Sequence, residues 1–185
     1  DHGQYDTVRS LFWATGAALL VRPADWNAVG GFDPHFFAHF EEIDFCWRLR
    51  ARARKIVCIP QSVVYHVGGG TLPAEHPRKT YLNFRNSLTM LYKNLPTDEL
   101  RHVLRVRKWL DGIAWLKYFA TGDFANAKAV RCARRDFHKW QHHFDAARKQ
   151  NLENTTLFDI PERIQRSLIY GFYVQRQKTF AQFMS

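Results

Sequence analysis

The chain has 185 residues, 46% of them hydrophobic and 15% aromatic, which excludes a disordered protein and allows one ordinary domain or a truncated one with an appendage. No apolar run reaches the ~18–20 residues of a membrane span, and Asp1-His2-Gly3-Gln4 lacks the basic and apolar pattern of a signal peptide. The formal charge of +10 is uneven: residues 1–75 carry seven Lys/Arg against eight Asp/Glu, whereas residues 101–149 carry twelve against four, so a near-neutral segment precedes a basic one suited to an anionic surface.

Residues 14–22, with the small Ala14-Thr15-Gly16-Ala17-Ala18 start, predict a buried strand. Pro23 opens a short helix through Val29, which Gly30-Gly31 closes. Phe32-Asp33-Pro34 is turn chemistry. A helix is expected from Glu41, with Glu41, Glu42 and Asp44 in a first turn where the macrodipole favours negative charge, and with Asp44 and Arg48 spaced to pair. Lys55–Pro60 and Ser62–His66 read as two short strands, and Gly68-Gly69-Gly70 as a loop. Pro77 opens a long helix to Asn94 with a Tyr81, Phe84, Leu88, Leu91 stripe, and Pro96 breaks it. Thr97 is placed as the N-cap of a helix to about Phe119, with Leu100, Val103, Leu104, Leu110, Ile113 and Leu116 mostly on one side. Gly122 separates it from a basic helix over 123–149, and 168–174 is read as a strand or extended tail. Cys46, Cys58 and Cys132 are odd in number and contain no CxxC, as in a reduced, cytoplasmic setting.

The chemistry concentrates in Gly30–Thr71. The aromatic run before Glu41 should bury the helix start, and burial together with the crowding of two glutamates raises carboxylate pKa values toward those of a useful base. His66 stands at a predicted strand end before a glycine loop, where ligand groups sit in open α/β sheets. His138 and His142 have helical metal-binding spacing, but no carboxylate or cysteine completes a set, and a solvated face is the simpler reading.

In order, Gly16-Ala17, Gly30 to Asp33, Phe36-Phe37, Glu41-Glu42-Ile43-Asp44 with Arg48, and His66 with Gly68 to Thr71 resemble the C-terminal half of the catalytic domain of family 2 glycosyltransferases. This is the large inverting GT-A group that includes bacterial rhamnosyl- and galactofuranosyl-transferring enzymes. The match covers roughly residues 12–95. It implies an α/β fold, the C-terminal half of a GT-A (Rossmann-like) domain over 1–75, followed by a mainly helical, basic region over 76–185. It also implies transfer of a sugar from a nucleotide-sugar to a saccharide or lipid-linked acceptor in cell-surface polysaccharide synthesis. Glu42 would deprotonate the acceptor hydroxyl, with Glu41 open as a sharer of that role, and Asp44, paired with Arg48, would orient the loop or acceptor. Trp13, Thr15, Gly16 and Ala17 would line the sugar site, with Gly69 and Thr71 near phosphate. His66 would ligate a divalent cation, Mn²⁺ or Mg²⁺, on the diphosphate.

The family's Asp-x-Asp metal motif is absent from this sequence. The chain is therefore expected to be a fragment, inactive alone, with the remaining cation ligands elsewhere. Residues 97–149 are expected to make peripheral contact with the inner membrane face. The alternative is a basic helical module that binds nucleic acid or docks without catalysis; no specific nucleic-acid motif supports it. Oligomeric state is not legible in the sequence.

Overall fold

The computed structural model describes residues 6–66, 76–164, 166–179 and 182–183. It is α-rich, with one two-stranded antiparallel sheet: β1 (Arg9–Leu11) pairs with β2 (Ile56–Cys58), Arg9 opposite Cys58 and Leu11 opposite Ile56. The helices are α1 (Pro23–Val29), α2 (Glu41–Ala51), α3 (Pro77–Asn94), α4 (Thr97–Ala120), α5 (Phe124–Trp140), α6 (Asp145–Glu153) and α7 (Leu168–Tyr173).

Helix α1 starts on Pro23 and ends at Gly30, whose φ of 77° is the left-handed cap that glycine tolerates. Gly31 is needed for a second reason. A Cβ there would come within 2.6 Å of the Trp26 ring. Trp26 in turn meets Phe32 and Phe45, with ring centroids 5.0 and 5.1 Å away.

Helix α2 lies between two apolar clusters. Phe45, Cys46 and Leu49 join Val29 and Ile56 in one, while Trp47 joins Phe36, Met90, Leu95 and Ile160 in the other. All seven residues from Asp44 to Arg50 are buried. Its C-terminus is closed from far along the chain, where the Thr156 and Leu157 N–H groups donate to the Ala51 carbonyl at 2.8 and 2.9 Å. Helix α3 supports α2, and α5 packs mainly on α3, with Ala127, Val130, Ala133 and Phe137 buried and Phe137 edge-on to Tyr92 of α3.

Several sequence expectations change. Residues 14–22 form no strand; Gly16–Ala18 is a single 3-10 turn, and Leu20 is 99% exposed. Residues 62–66 have no regular structure and are exposed, because among the described residues the sheet offers them no neighbouring strand. Pro96, not Thr97, occupies the N-cap of α4, and the Thr97 hydroxyl accepts from Arg148 at 3.2 Å. The expected helix over 123–149 breaks into α5, a 3-10 turn at Gln141–Phe144, and α6. Phe144 is buried there against His35, which turns the chain without a proline or glycine. Leu168–Tyr173 is a helix, N-capped by the Ser167 hydroxyl, and not a strand. On α3 the buried face includes Thr80, Asn86, Ser87, Thr89, Lys93 and Asn94, far more polar than the expected stripe.

Candidate active site

The approach to α2 is strained. Phe37, His39 and Phe40 all have positive φ, at 63°, 68° and 73°. Left-handed backbone costs a non-glycine residue about 1–2 kcal/mol, and it persists only where the surroundings over-determine it. Asn86 supplies that restraint. Its Nδ2 donates to the Phe36, Ala38 and His39 carbonyls at 2.9, 2.8 and 2.8 Å, so two hydrogens serve three acceptors. Arg85 adds a bond to the His35 carbonyl at 2.8 Å.

The three acids of α2 have separate fates. Asp44 is 0% exposed. Its Oδ2 accepts from Arg48 Nε at 3.0 Å and Lys93 Nζ at 3.0 Å, and its Oδ1 accepts from Asn94 Nδ2 at 2.8 Å. Arg48 also donates to the Gly31 carbonyl at 2.8 Å and to the Val29 carbonyl, tying the α1 turn to α2. Lys93 further bonds Asp33 Oδ2 at 2.7 Å. Buried Asp44 thus meets two buried cations, and Lys93 also reaches the partly exposed Asp33. Burial pushes the Asp33 carboxyl up, but the Lys93 hydrogen bond and charge, with hydrogen bonds from His35, outweigh it and bring the value down to about 2. The Asp44 carboxylate is therefore a structural hub rather than a group open to an acceptor.

Glu41 and Glu42 are different. One oxygen of each, Oε2, is buried with no hydrogen-bond partner among the described residues, and so is His39 Nε2. Phe40 offers no side-chain cap to the helix start. Burial raises the Glu42 carboxyl; its own backbone N–H opposes this and the charge of Glu41 adds to it. A half-buried carboxyl with an idle oxygen and raised proton affinity can take a proton from a hydroxyl.

The 3-10 turn lies beside Glu42. A Cβ on Gly16 would stand 3.9 Å from Glu42 Cβ. One turn along α2, burial pushes the Cys46 thiol up, the Ala14 backbone hydrogen bond opposes this and the Glu42 charge reinforces it. Residues 14–16 thus cross the acidic start of α2. Trp13, Thr15, Gly16 and Ala17 are exposed there, and the Thr15 hydroxyl accepts from Ala17 N–H at a long 3.5 Å. The structure therefore brings Gly16 together with Glu42, while Arg48 is committed to Asp44 and the α1 turn.

His66 is exposed. Among the described residues no group of three or more His, Cys, Asp or Glu is gathered for a metal ion. These residues alone do not fit a divalent cation site. Gly69 and Thr71 lie outside the described residues. His142 bonds Asp145 three residues on, and His143 meets His35 Nε2 at 3.2 Å, so His143 ties the Gln141–Phe144 turn to the Pro34–Phe36 turn.

Sequence reasoning passed over Lys93, Asn94, Asn86 and His39. The first three read as polar helix residues, and their partners lie roughly fifty positions away, beyond any local pattern. His39 had a signal, as the one titratable side chain inside the aromatic run.

No family model matches the chain, and no solved structure does. Curated relatives are found. Over 71 residues the chain is 35% identical to N-acetylglucosaminyl-diphospho-decaprenol L-rhamnosyltransferase of Mycobacterium tuberculosis, covering 37% of this chain and 23% of the relative. Over 92 residues it is 30% identical to rhamnosyltransferase WbbL of Escherichia coli K12, covering 49% of this chain and 32% of the relative. The matches span only about a quarter to a third of the length of these relatives. They support a relationship to glycosyltransferases.

Proposed function

We propose that this chain carries the acceptor-activating part of an inverting glycosyltransferase that moves a sugar from a nucleotide-sugar to a hydroxyl of a saccharide or lipid-linked acceptor. The observation that carries the reading is Glu42: a carboxyl with raised proton affinity and an idle oxygen, beside the exposed 13–17 segment. Partial similarity to two rhamnosyltransferases, one named for a diphospho-decaprenol saccharide, supports the reaction class.

In this reading Glu42 accepts the acceptor's hydroxyl proton as that oxygen attacks the anomeric carbon. The bond from that carbon to the diphosphate breaks, the nucleoside diphosphate leaves with the electron pair, and configuration inverts. Glu41 keeps the Glu42 carboxyl basic through its charge. Asp44, Arg48, Lys93 and Asn86 are positioning residues: they fix the pitch of α2 and the strained loop, so that Glu42 is held at one angle. Exposed Trp13 offers a ring face to a sugar. A divalent cation at His66 would need its other ligands from outside the described residues, and no step here passes through it.

The test is a transfer assay on the protein carrying these residues. Glu42→Gln is expected to lower kcat by about 10²–10⁴-fold with little change in donor KM. The acid limb of the wild-type pH–rate profile should lie above the ordinary glutamate value of 4.5. Undiminished turnover in Glu42→Gln would remove Glu42 as the base, and loss in Glu41→Gln alone would transfer the role.

A further inference from the structure

Helix α4 is built inside out. Of its 24 residues only Asp111 is buried. Asp111 accepts from Arg107 Nε at 3.1 Å and pairs with Arg134 of α5, while Arg107 also bonds the Ser87 hydroxyl of α3 at 3.0 Å. Its opposite face is apolar and open to solvent. Val106, Trp109, Ile113 and Leu116 follow the alternating three- and four-residue spacing of one helical stripe, and Trp109 and Ile113 are 77% and 63% exposed. Phe119 and Phe124 extend the stripe, with ring centroids 5.3 Å apart, and both are exposed. From Val106 to Phe119 the stripe runs roughly 20 Å at the rise of an α-helix. Leu110 stays half-buried, but Ile113 and Leu116, expected beside it, face outward.

A continuous apolar strip of this size marks an interaction surface. Its edges say what kind. Arg101, Arg105, Lys108 and Lys117 are exposed alongside it, and the only acid from Arg101 to Ala120 is the buried Asp111. An apolar stripe with Trp and Phe, bordered by cations, with the helix's exposed acid confined to Asp98 in its first turn, is the pattern of a helix lying in a membrane interface. No helix among the described residues is long and apolar enough to cross a membrane. A duplex would gain phosphate contacts from the cations but would leave the Trp, Ile, Leu and Phe side chains unused.

We infer that the outer face of α4 docks on an anionic lipid bilayer, with Trp109, Ile113, Leu116 and Phe119 in the headgroup–acyl boundary and Arg101, Arg105, Lys108 and Lys117 on lipid phosphates. No residue of this face belongs to the Glu42 site or the strained loop, so this inference does not depend on the catalytic reading. Trp115, half-buried and stacked on Phe119 at 5.3 Å, backs the stripe, whereas Trp140 lines a separate cavity with His35 and Arg85.

The test is co-sedimentation of the intact protein with phosphatidylglycerol–phosphatidylcholine vesicles against pure phosphatidylcholine. Binding is expected to the anionic vesicles and to weaken with salt. Trp109→Ser with Ile113→Ser should lower partitioning at least about tenfold with helical circular dichroism unchanged. Lys108→Gln and Lys117→Gln should each lower it about fivefold. Failure of the wild type to bind, or equal binding by the apolar double variant, overturns the inference. So does a dimer in light scattering that the double variant dissolves, or retention on duplex DNA without vesicle binding. None of these outcomes alters the Glu42→Gln result.

Discussion

Helices α2 and α4 both carry a buried aspartate bonded to an arginine four residues away, and the two pairs work in different surroundings. Asp44 sits between two apolar clusters, and its cationic partners Arg48 and Lys93 are only 6% and 3% exposed. Asp111 is equally hidden, but Arg107 and Arg134 are 23% and 19% exposed. The same i, i+4 grammar makes a fully enclosed hub in one helix and a water-backed anchor in the other. Partner exposure, not the pair itself, sets what the contact is worth.

The sharpest break of this comparison is Asp44→Ala. It strands two buried cations, and a loss of about 3–5 kcal/mol is expected in urea unfolding. Asn86→Ala follows, because three carbonyls of a strained loop lose their donor. About 2 kcal/mol of stability should go, together with transfer activity, although Asn86 is placed away from the reacting atoms. Asp111→Ala should cost less, about 1–2 kcal/mol, since water can reach the arginines it leaves. If Asp111→Ala proved as damaging as Asp44→Ala, partner exposure would not be the deciding variable.

Acid titration sharpens the contrast further. The Asp33 carboxyl is depressed from 3.8 to about 2, so its ionised form stabilises the fold above 3.8, and that contribution is lost as pH falls through about 2. Lys93→Met should flatten this limb of the stability–pH curve. The smallest effect is expected on the outer face of α4, where Ile113→Ser should shift unfolding by no more than about 0.5 kcal/mol.

The helix boundaries in the first half were legible because capping chemistry is local. Pro23, Gly30 and Pro77 mark ends that the structure keeps. The acidic start of α2 was also legible, as was the direction in which burial moves Glu42. The division of labour among its three acids was not. Separating Asp44 from Glu42 requires Lys93 and Asn94, which fold back from about fifty residues away. The apolar run at 62–66 suggested a strand because β-propensity is a statement about neighbours, and among the described residues the sheet provides none. On α4, Ile113 and Leu116 looked like core because hydrophobicity alone does not say on which side a helix meets its protein.

The closure of α2 from a distance bears on how such a segment can be inherited. Its acidic start is set by Asn86 and Lys93, and its last carbonyl is taken by Thr156 and Leu157. The short string that advertises the chemistry is therefore not a portable cassette. Grafted into another framework without those two later stretches, it would keep its recognisable letters and lose the posture that gives them meaning.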